Sequence, residues 1–148
     1  MSELTLSEFA DRVGQLMPVI MKEFMRNQGD EFHKMKITMP QFFVMEYLYR
    51  SGESRMGDIA KFLNVTTAAI TGTVDKLVRE LYVIRISDPE DRRIVKIRLT
   101  TKGTNVVKDV MGWRRQVSMK MFGMITQEER EQYISILTRI KDKIQEQG

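Results

Sequence analysis

The residues of this 148-residue chain best equipped for chemistry are arginines and threonines, because nucleophiles and metal ligands are scarce. There is no cysteine and a single histidine, His33. The absence of cysteine excludes disulfides, thiol catalysis, thiolate redox sensing and cysteine-ligated zinc. One histidine argues against a multi-histidine metal site or a Ser-His pair. No nucleophile–base pair, metal cluster or phosphate-binding glycine loop stands out, so no enzyme activity, metal or cofactor is expected. What remains is Arg92 and Arg93, at the end of the polar run Ser87-Asp88-Pro89-Glu90-Asp91-Arg92-Arg93, and the threonines 66, 67 and 71. Cations clustered at a loop tip attract phosphate backbones. The plainer reading of the same residues is a solvated hairpin tip.

The charge distribution bears on that choice. The net charge is a mild +4, but residues 35–102 hold twelve basic and eight acidic side chains. Residues 1–34 hold four basic and six acidic, and residues 103–148 eight and six. The basic excess therefore lies mainly in the middle of the chain. No apolar run is long enough to span a bilayer. The start, Met1-Ser2-Glu3-Leu4, lacks the build of a signal peptide. These features lead us to expect a soluble, cytoplasmic protein without a membrane partner.

The hydrophobic periodicity defines the elements that carry these arginines. Apolar positions at Phe9, Val13, Leu16, Met17, Ile20, Met21 and Phe24 predict one amphipathic helix over 5–31, with Pro18 able to kink it. Thr38 and Gln41 form a capping-box pattern that opens a helix to about Tyr49. Ser51-Gly52-Glu53 breaks it, and a short helix follows over Arg55 to Phe62. Asn64-Val65-Thr66 is a tight turn, with Thr66 as N-cap of a helix reaching about Leu81. Its buried stripe is predicted to be Ile70, Val74, Leu77, Val78 and Leu81. Ala68, Gly72, Asp75, Lys76 and Arg79 lie opposite, with Thr67 at the helix tip and Thr71 at its flank. The period then changes to two. Tyr82–Ile86 and Ile94–Leu99 read as strands around a charged tip. Thr100 caps a long helix to about Gly123, and Thr126 with Glu129 opens a terminal helix bearing Tyr133, Ile136, Leu137, Ile140 and Ile144.

A short helix, tight turn, second helix and hairpin make the winged helix-turn-helix plan. A helix about 10 Å across fits a major groove about 12 Å wide. A cationic hairpin tip can reach the adjacent minor groove, where a narrow groove concentrates negative potential. The expected fold is mostly α with a small β-hairpin wing (α+β), a single domain over 1–148. Within it, 36–100 is the winged helix-turn-helix core, and 1–34 and 101–148 form a helical region.

Asp88-Pro89-Glu90-Asp91-Arg92-Arg93, with Leu99-Thr100 and Gly103 downstream, resembles the wing signature of the MarR family of bacterial transcriptional regulators. Val74-Asp75-Lys76-Leu77, Val83 and Arg85 match that family's recognition helix and first wing strand. The motif stretch spans roughly 55–103. The resemblance implies a homodimer joined by its terminal helices and bound to a pseudo-palindromic operator, usually as a repressor. It also implies release by a small aromatic or phenolic ligand in many members. Carried over, Arg93 enters the minor groove, Asp91 orients it through a salt bridge, and Arg92 contacts phosphate. Thr66 caps the recognition helix near phosphate. Thr67, Ala68, Thr71 and Gly72 face base edges, and Lys76 belongs to the same DNA-binding set. The family often has a long polar or basic side chain where this chain has Gly72, which implies fewer direct base contacts and more reliance on shape and the wing. The alternative function is a winged-helix protein-interaction module without specific DNA readout.

Other residues carry two readings each. His33 reads as a surface or interface histidine. The methionines at 17, 21, 25, 35, 39, 45, 111, 119, 121 and 124 fit adaptable packing, or a soft apolar ligand pocket. Trp113 with Arg114 and Arg115 is either a helix anchor beside a solvated basic pair or the lining of a crevice for a carboxylate ligand.

Overall fold

The computed structural model describes residues 3–26 and 28–148, and the side chains of all of these except 28 and 29. Its elements are α1 (Leu6–Met25), α2 (Gln28–Met35), α3 (Met39–Ser51), β1 (Ser54–Arg55), α4 (Met56–Leu63), α5 (Thr67–Arg79), β2 (Val83–Ser87), β3 (Val95–Leu99), α6 (Thr101–Phe122) and α7 (Gln127–Gln147). They group into two compact units that meet within the sequence of α6, at Met111 and Gly112. The mostly helical fold with a small antiparallel wing agrees with the expectation drawn from the sequence.

The first unit departs from the expected helix pattern at its start. The expected helix over 5–31 is two helices, and Asn27, which that expectation included, lies outside the described residues. α1 opens with a capping box: Thr5 Oγ1 accepts from the Glu8 N–H at 3.2 Å, and Glu8 accepts from the Thr5 N–H at 2.9 Å. It runs through Pro18 and buries no residue. Its apolar spacing ends at Phe24 and Met25. The next large apolar residue, Phe32, serves a different purpose: it is buried in the core, its ring 5.4 Å from that of Phe42. α2 closes on Lys36 in the left-handed region (φ 56°), and the Ile37 N–H reaches back to the Phe32 carbonyl at 3.0 Å. That turn delivers Ile37 to the core as well.

Thr38 and Gln41 form the capping box expected of them, and α3 drives Phe42, Val44, Met45 and Leu48 inward. α4 and α5 close the same core with Ile59, Ala60, Ile70, Val74 and Leu77. Between them Asn64 adopts the left-handed conformation at φ 54°, one that asparagine tolerates. The Val65 N–H bonds the Ala60 carbonyl at 3.0 Å, which fixes the tight turn.

The sheet is three-stranded and antiparallel, in the order β1-β3-β2, so the wing has one more strand than the hairpin read from the sequence. Val83 pairs with Leu99 and Ser87 with Val95, while Ser54 and Arg55 pair with Ile97 and Lys96. Val83 and Ile97 are the strand residues that reach the core, whereas Val95 is exposed. α6 then approaches so closely that a Cβ on Gly103 would lie 2.2 Å from the Tyr82 carbonyl oxygen. Only glycine fits there. Val107 and Val110 of the same helix complete the core.

α5 also ends earlier than its apolar spacing predicts. The helix stops at Arg79, and Leu81 lies beyond it with φ 64° and 65% of its surface exposed. It is therefore not part of the buried stripe. The Tyr82 N–H bonds the Leu77 carbonyl at 2.9 Å, so the left-handed residue turns the chain into β2 and delivers Tyr82 to the core in its place.

The second unit consists of the rest of α6, a turn and α7. Thr126 and Glu129 form the capping box expected of them. The Arg130 guanidinium donates to the carbonyls of Phe122 and Ile125, covering the end of α6. The Phe122 and Tyr133 rings meet at 5.4 Å. α7 buries no residue: Ile134, Ile136, Leu137, Ile140 and Ile144 are all exposed. An open groove of about 830 Å³ runs along this unit, lined by Met119, Phe122, Arg130, Tyr133, Ile134 and Leu137.

Candidate nucleic-acid interface

The wing tip is organised by two aspartates. Asp88 Oδ1 accepts from the backbone N–H groups of Glu90 at 2.8 Å and Asp91 at 3.4 Å, a side-chain mimic of a turn. The bond from Glu90 is the main cause holding the Asp88 carboxyl below the usual aspartate range. Partial desolvation opposes it, while the Asp91 N–H and the charges of Lys96 and Arg55 assist. The base of the tip is closed by the Asp88 N–H on the Ile94 carbonyl at 2.9 Å. Asp91 uses one oxygen twice: Oδ1 accepts from the Arg93 N–H at 3.0 Å and lies 3.6 Å from Arg93 Nε. Arg93 is thus tethered at its backbone and at the root of its guanidinium, yet its side chain is 95% exposed. Arg92 beside it is exposed. The result is a cationic tip on a backbone fixed from within.

α5 presents the second surface. Thr66 is the N-cap, its Oγ1 accepting from the Ala69 N–H at 3.2 Å. Thr67, Ala68, Gly72 and Lys76 are exposed, and Thr71 is partly exposed. A Cβ on Gly72 would meet nothing within 4 Å, so this glycine is no packing requirement of the fold. Thr71 Oγ1 donates to the Thr67 carbonyl at 2.8 Å.

The two surfaces belong to one unit and are tied by ion pairs that the sequence reading did not single out. Arg85 on β2 pairs with Asp75 on α5, linking the first wing strand to the helix. Arg98 on β3 pairs with Glu53, just before β1. Lys102 Nζ donates to the Glu80 carbonyl at 2.7 Å, capping the end of α5, and rests 4.3 Å from the centre of the Tyr82 ring. Thr100 Oγ1 donates to the Leu81 and Tyr82 carbonyls and accepts from the Gly103 N–H. The signal for Asp75 and Arg85 was present in their match to the family pattern. The pairing of Glu53 with Arg98, 45 residues apart, had no local signal.

Elsewhere the chemistry is sparse. Among the described residues no group of three or more His, Asp or Glu could hold a metal ion, and no helix is long and apolar enough to cross a membrane. His33 is exposed on α2. Trp113 and Arg114 are partly buried and Arg115 is exposed, all in the second unit.

This geometry has counterparts in known proteins. The MarR family model matches residues 37–95. The HTH-type transcriptional regulator YsmB of Bacillus subtilis (strain 168) is 31% identical over 93 residues, which are 63% of this chain and 64% of that protein, slightly under two thirds. The structure of a MarR family protein from Bacillus stearothermophilus superposes with a TM-score of 0.84 over 95% of this chain and 99% of that one; at 20% identity it speaks for the fold. The S. aureus MepR–DNA complex has a TM-score of 0.71 at 25% identity, covering 88% of this chain and 98% of that chain. The family consists of transcriptional regulators, not enzymes. Residues 37–95, the stretch similar to the MarR family, hold the winged helix-turn-helix of this chain.

Proposed function

We propose that this protein is a homodimeric, sequence-specific DNA-binding regulator, acting as a repressor at a pseudo-palindromic operator. One observation carries the reading: the exposed face of α5 and the Asp91-tethered, 95%-exposed Arg93 lie in one unit whose helix and wing are joined by the Asp75–Arg85 pair. In this reading α5 enters the major groove and Arg93 the flanking minor groove. Arg92 and Lys76 contact phosphate, Thr66 lies near it, and Thr67, Ala68, Thr71 and Gly72 meet base edges. The DNA-bound state of the S. aureus MepR relative supports it.

The dimer is supported by apolar faces too large for water. α1 leaves Phe9, Leu16, Met17 and Ile20 exposed, and α7 leaves Ile136, Leu137, Ile140 and Ile144 exposed. Two copies would set their recognition helices about 34–36 Å apart, one turn of DNA. Repression follows if the operator overlaps a promoter. The aromatic-lined groove of the second unit is the space that would take a small aromatic effector.

The test is selection from a randomised duplex library followed by footprinting. The expected result is a two-fold symmetric consensus, protected over two adjacent turns, with binding that weakens steeply as salt rises. Recovery of no consensus would overturn the reading and favour a protein-interaction role for the winged-helix surface.

A further inference from the structure

Thr71 has committed its hydroxyl hydrogen inside the helix. Its Oγ1 lies 2.8 Å from the Thr67 carbonyl oxygen, and a carbonyl can only accept, so the hydroxyl is the donor. Thr73 is bonded in the same way to the Ala69 carbonyl at 3.3 Å. Back-bonding of this kind is a habit of threonine within helices. At Thr71 it changes what the side chain can read. A free hydroxyl can donate to guanine N7 or O6, or to thymine O4. The committed one keeps only acceptor lone pairs, so what the side chain has to offer a base is those lone pairs and its γ-methyl. Next along the helix, Gly72 offers no side chain to hold DNA away.

From this we infer that Thr71 is a specificity residue that reads the 5-methyl group of thymine, one A·T pair per half-site. The inference rests on the DNA-binding reading above. The match of chemistry is close. In the major groove an A·T pair shows a methyl group, which the threonine γ-methyl can cover, and the adenine N6 amino donor, which the Oγ1 lone pair can accept. A G·C pair also offers an amino donor, on cytosine N4, but its guanine shows two acceptors that the committed hydroxyl cannot satisfy and it has no methyl, so the methyl is what separates the two pairs. The Thr67 carbonyl already holds the hydroxyl hydrogen, and donating to a guanine would require that bond to break.

The experiment uses the full chain and the selected operator, with single thymines replaced by deoxyuridine, which deletes only the methyl group. At one thymine per half-site the wild type should lose about fourfold in affinity, the fold-change carried by one buried methyl, and about fifteenfold when both half-sites are changed. Thr71→Val, which keeps the methyl and removes the hydroxyl, should retain the deoxyuridine penalty. Thr71→Ser, which keeps the hydroxyl and removes the methyl, should lose it. Indifference of the wild type to deoxyuridine at every half-site thymine would overturn the inference while leaving the DNA-binding reading intact. So would a penalty kept by Thr71→Ser and lost by Thr71→Val. A selection with no consensus would overturn both.

Discussion

The winged-helix region and the terminal helices spend their apolar residues in opposite ways. In the first, Phe42, Val44, Met45, Ile59, Val74, Leu77, Val83 and Ile97 are almost fully buried. In the second, α7 repeats isoleucine and leucine at helical spacing and buries none of them. α1 shows the same pattern. A folded core satisfies its own surface, while an amphipathic helix left bare needs another surface to cover it. The difference separates two jobs within one chain. One region has a closed core and holds the candidate DNA-reading groups in place. The other leaves apolar faces bare, as the proposed dimer requires.

The most damaging way to break that contrast is to disturb the core itself. Gly103→Ala places a Cβ against the Tyr82 carbonyl at 2.2 Å, where backbone must move. We expect a loss of about 3 kcal/mol in stability, measured by urea unfolding. On the terminal helices the outcome should be the reverse. Leu137→Glu with Ile140→Glu alters two exposed residues. It should leave the melting of the winged-helix unit unchanged but convert the protein to a monomer in sedimentation velocity. Operator affinity should fall about a hundredfold as the link between half-sites is lost.

Smaller changes sharpen the picture of the core. Leu81 adopts φ 64° while 65% exposed, so its side chain costs backbone strain and returns little burial. Leu81→Gly should raise stability by about 1 kcal/mol, seen as a higher melting temperature. The smallest effect concerns the wing and pH. The Asp88 carboxyl is held below its ordinary value in the folded state, chiefly by the Glu90 N–H. A depressed carboxyl stabilises the fold above its unfolded pKa and stops doing so as pH falls through the folded one. The ordering of the wing tip should therefore hold at neutral pH and loosen as pH drops below the ordinary aspartate value of about 3.9. Lower protection factors of the Glu90 and Asp91 amides in acid, taken against their intrinsic exchange rates, would show it, and Asp88→Asn should remove the pH dependence.

Much of this was readable from local pattern. The capping boxes at Thr38 and Thr126, the turn at Asn64 and the alternation from Ile94 to Leu99 each have a signal within a few residues, because a cap or a pleat is a local contact. What escaped was decided by distant partners. β1 is two polar residues, Ser54 and Arg55, and is a strand only because β3 lies beside it. Leu81 continued the helical spacing, but the close approach of α6 at Gly103 and the need to bury Tyr82 turn the chain there instead. The division of the first helix near Arg26 follows from Phe32 joining a different surface from Phe24. In the candidate interface, Arg92, Arg93 and the threonines were visible as residue types. The aspartate bonds that shape the tip, and the bond that turns the Thr71 hydroxyl inward, depend on geometry that spacing does not encode.

The proposed function turns on DNA contact by the Asp91-tethered Arg93 as part of the winged-helix surface. The most direct measurement is operator affinity as a function of salt for the wild type and Arg93→Ala. The variant should lose at least about tenfold in affinity, and its plot of log affinity against log salt should be shallower by about one unit per wing lost. Equal affinity and equal slope for the two proteins would contradict it.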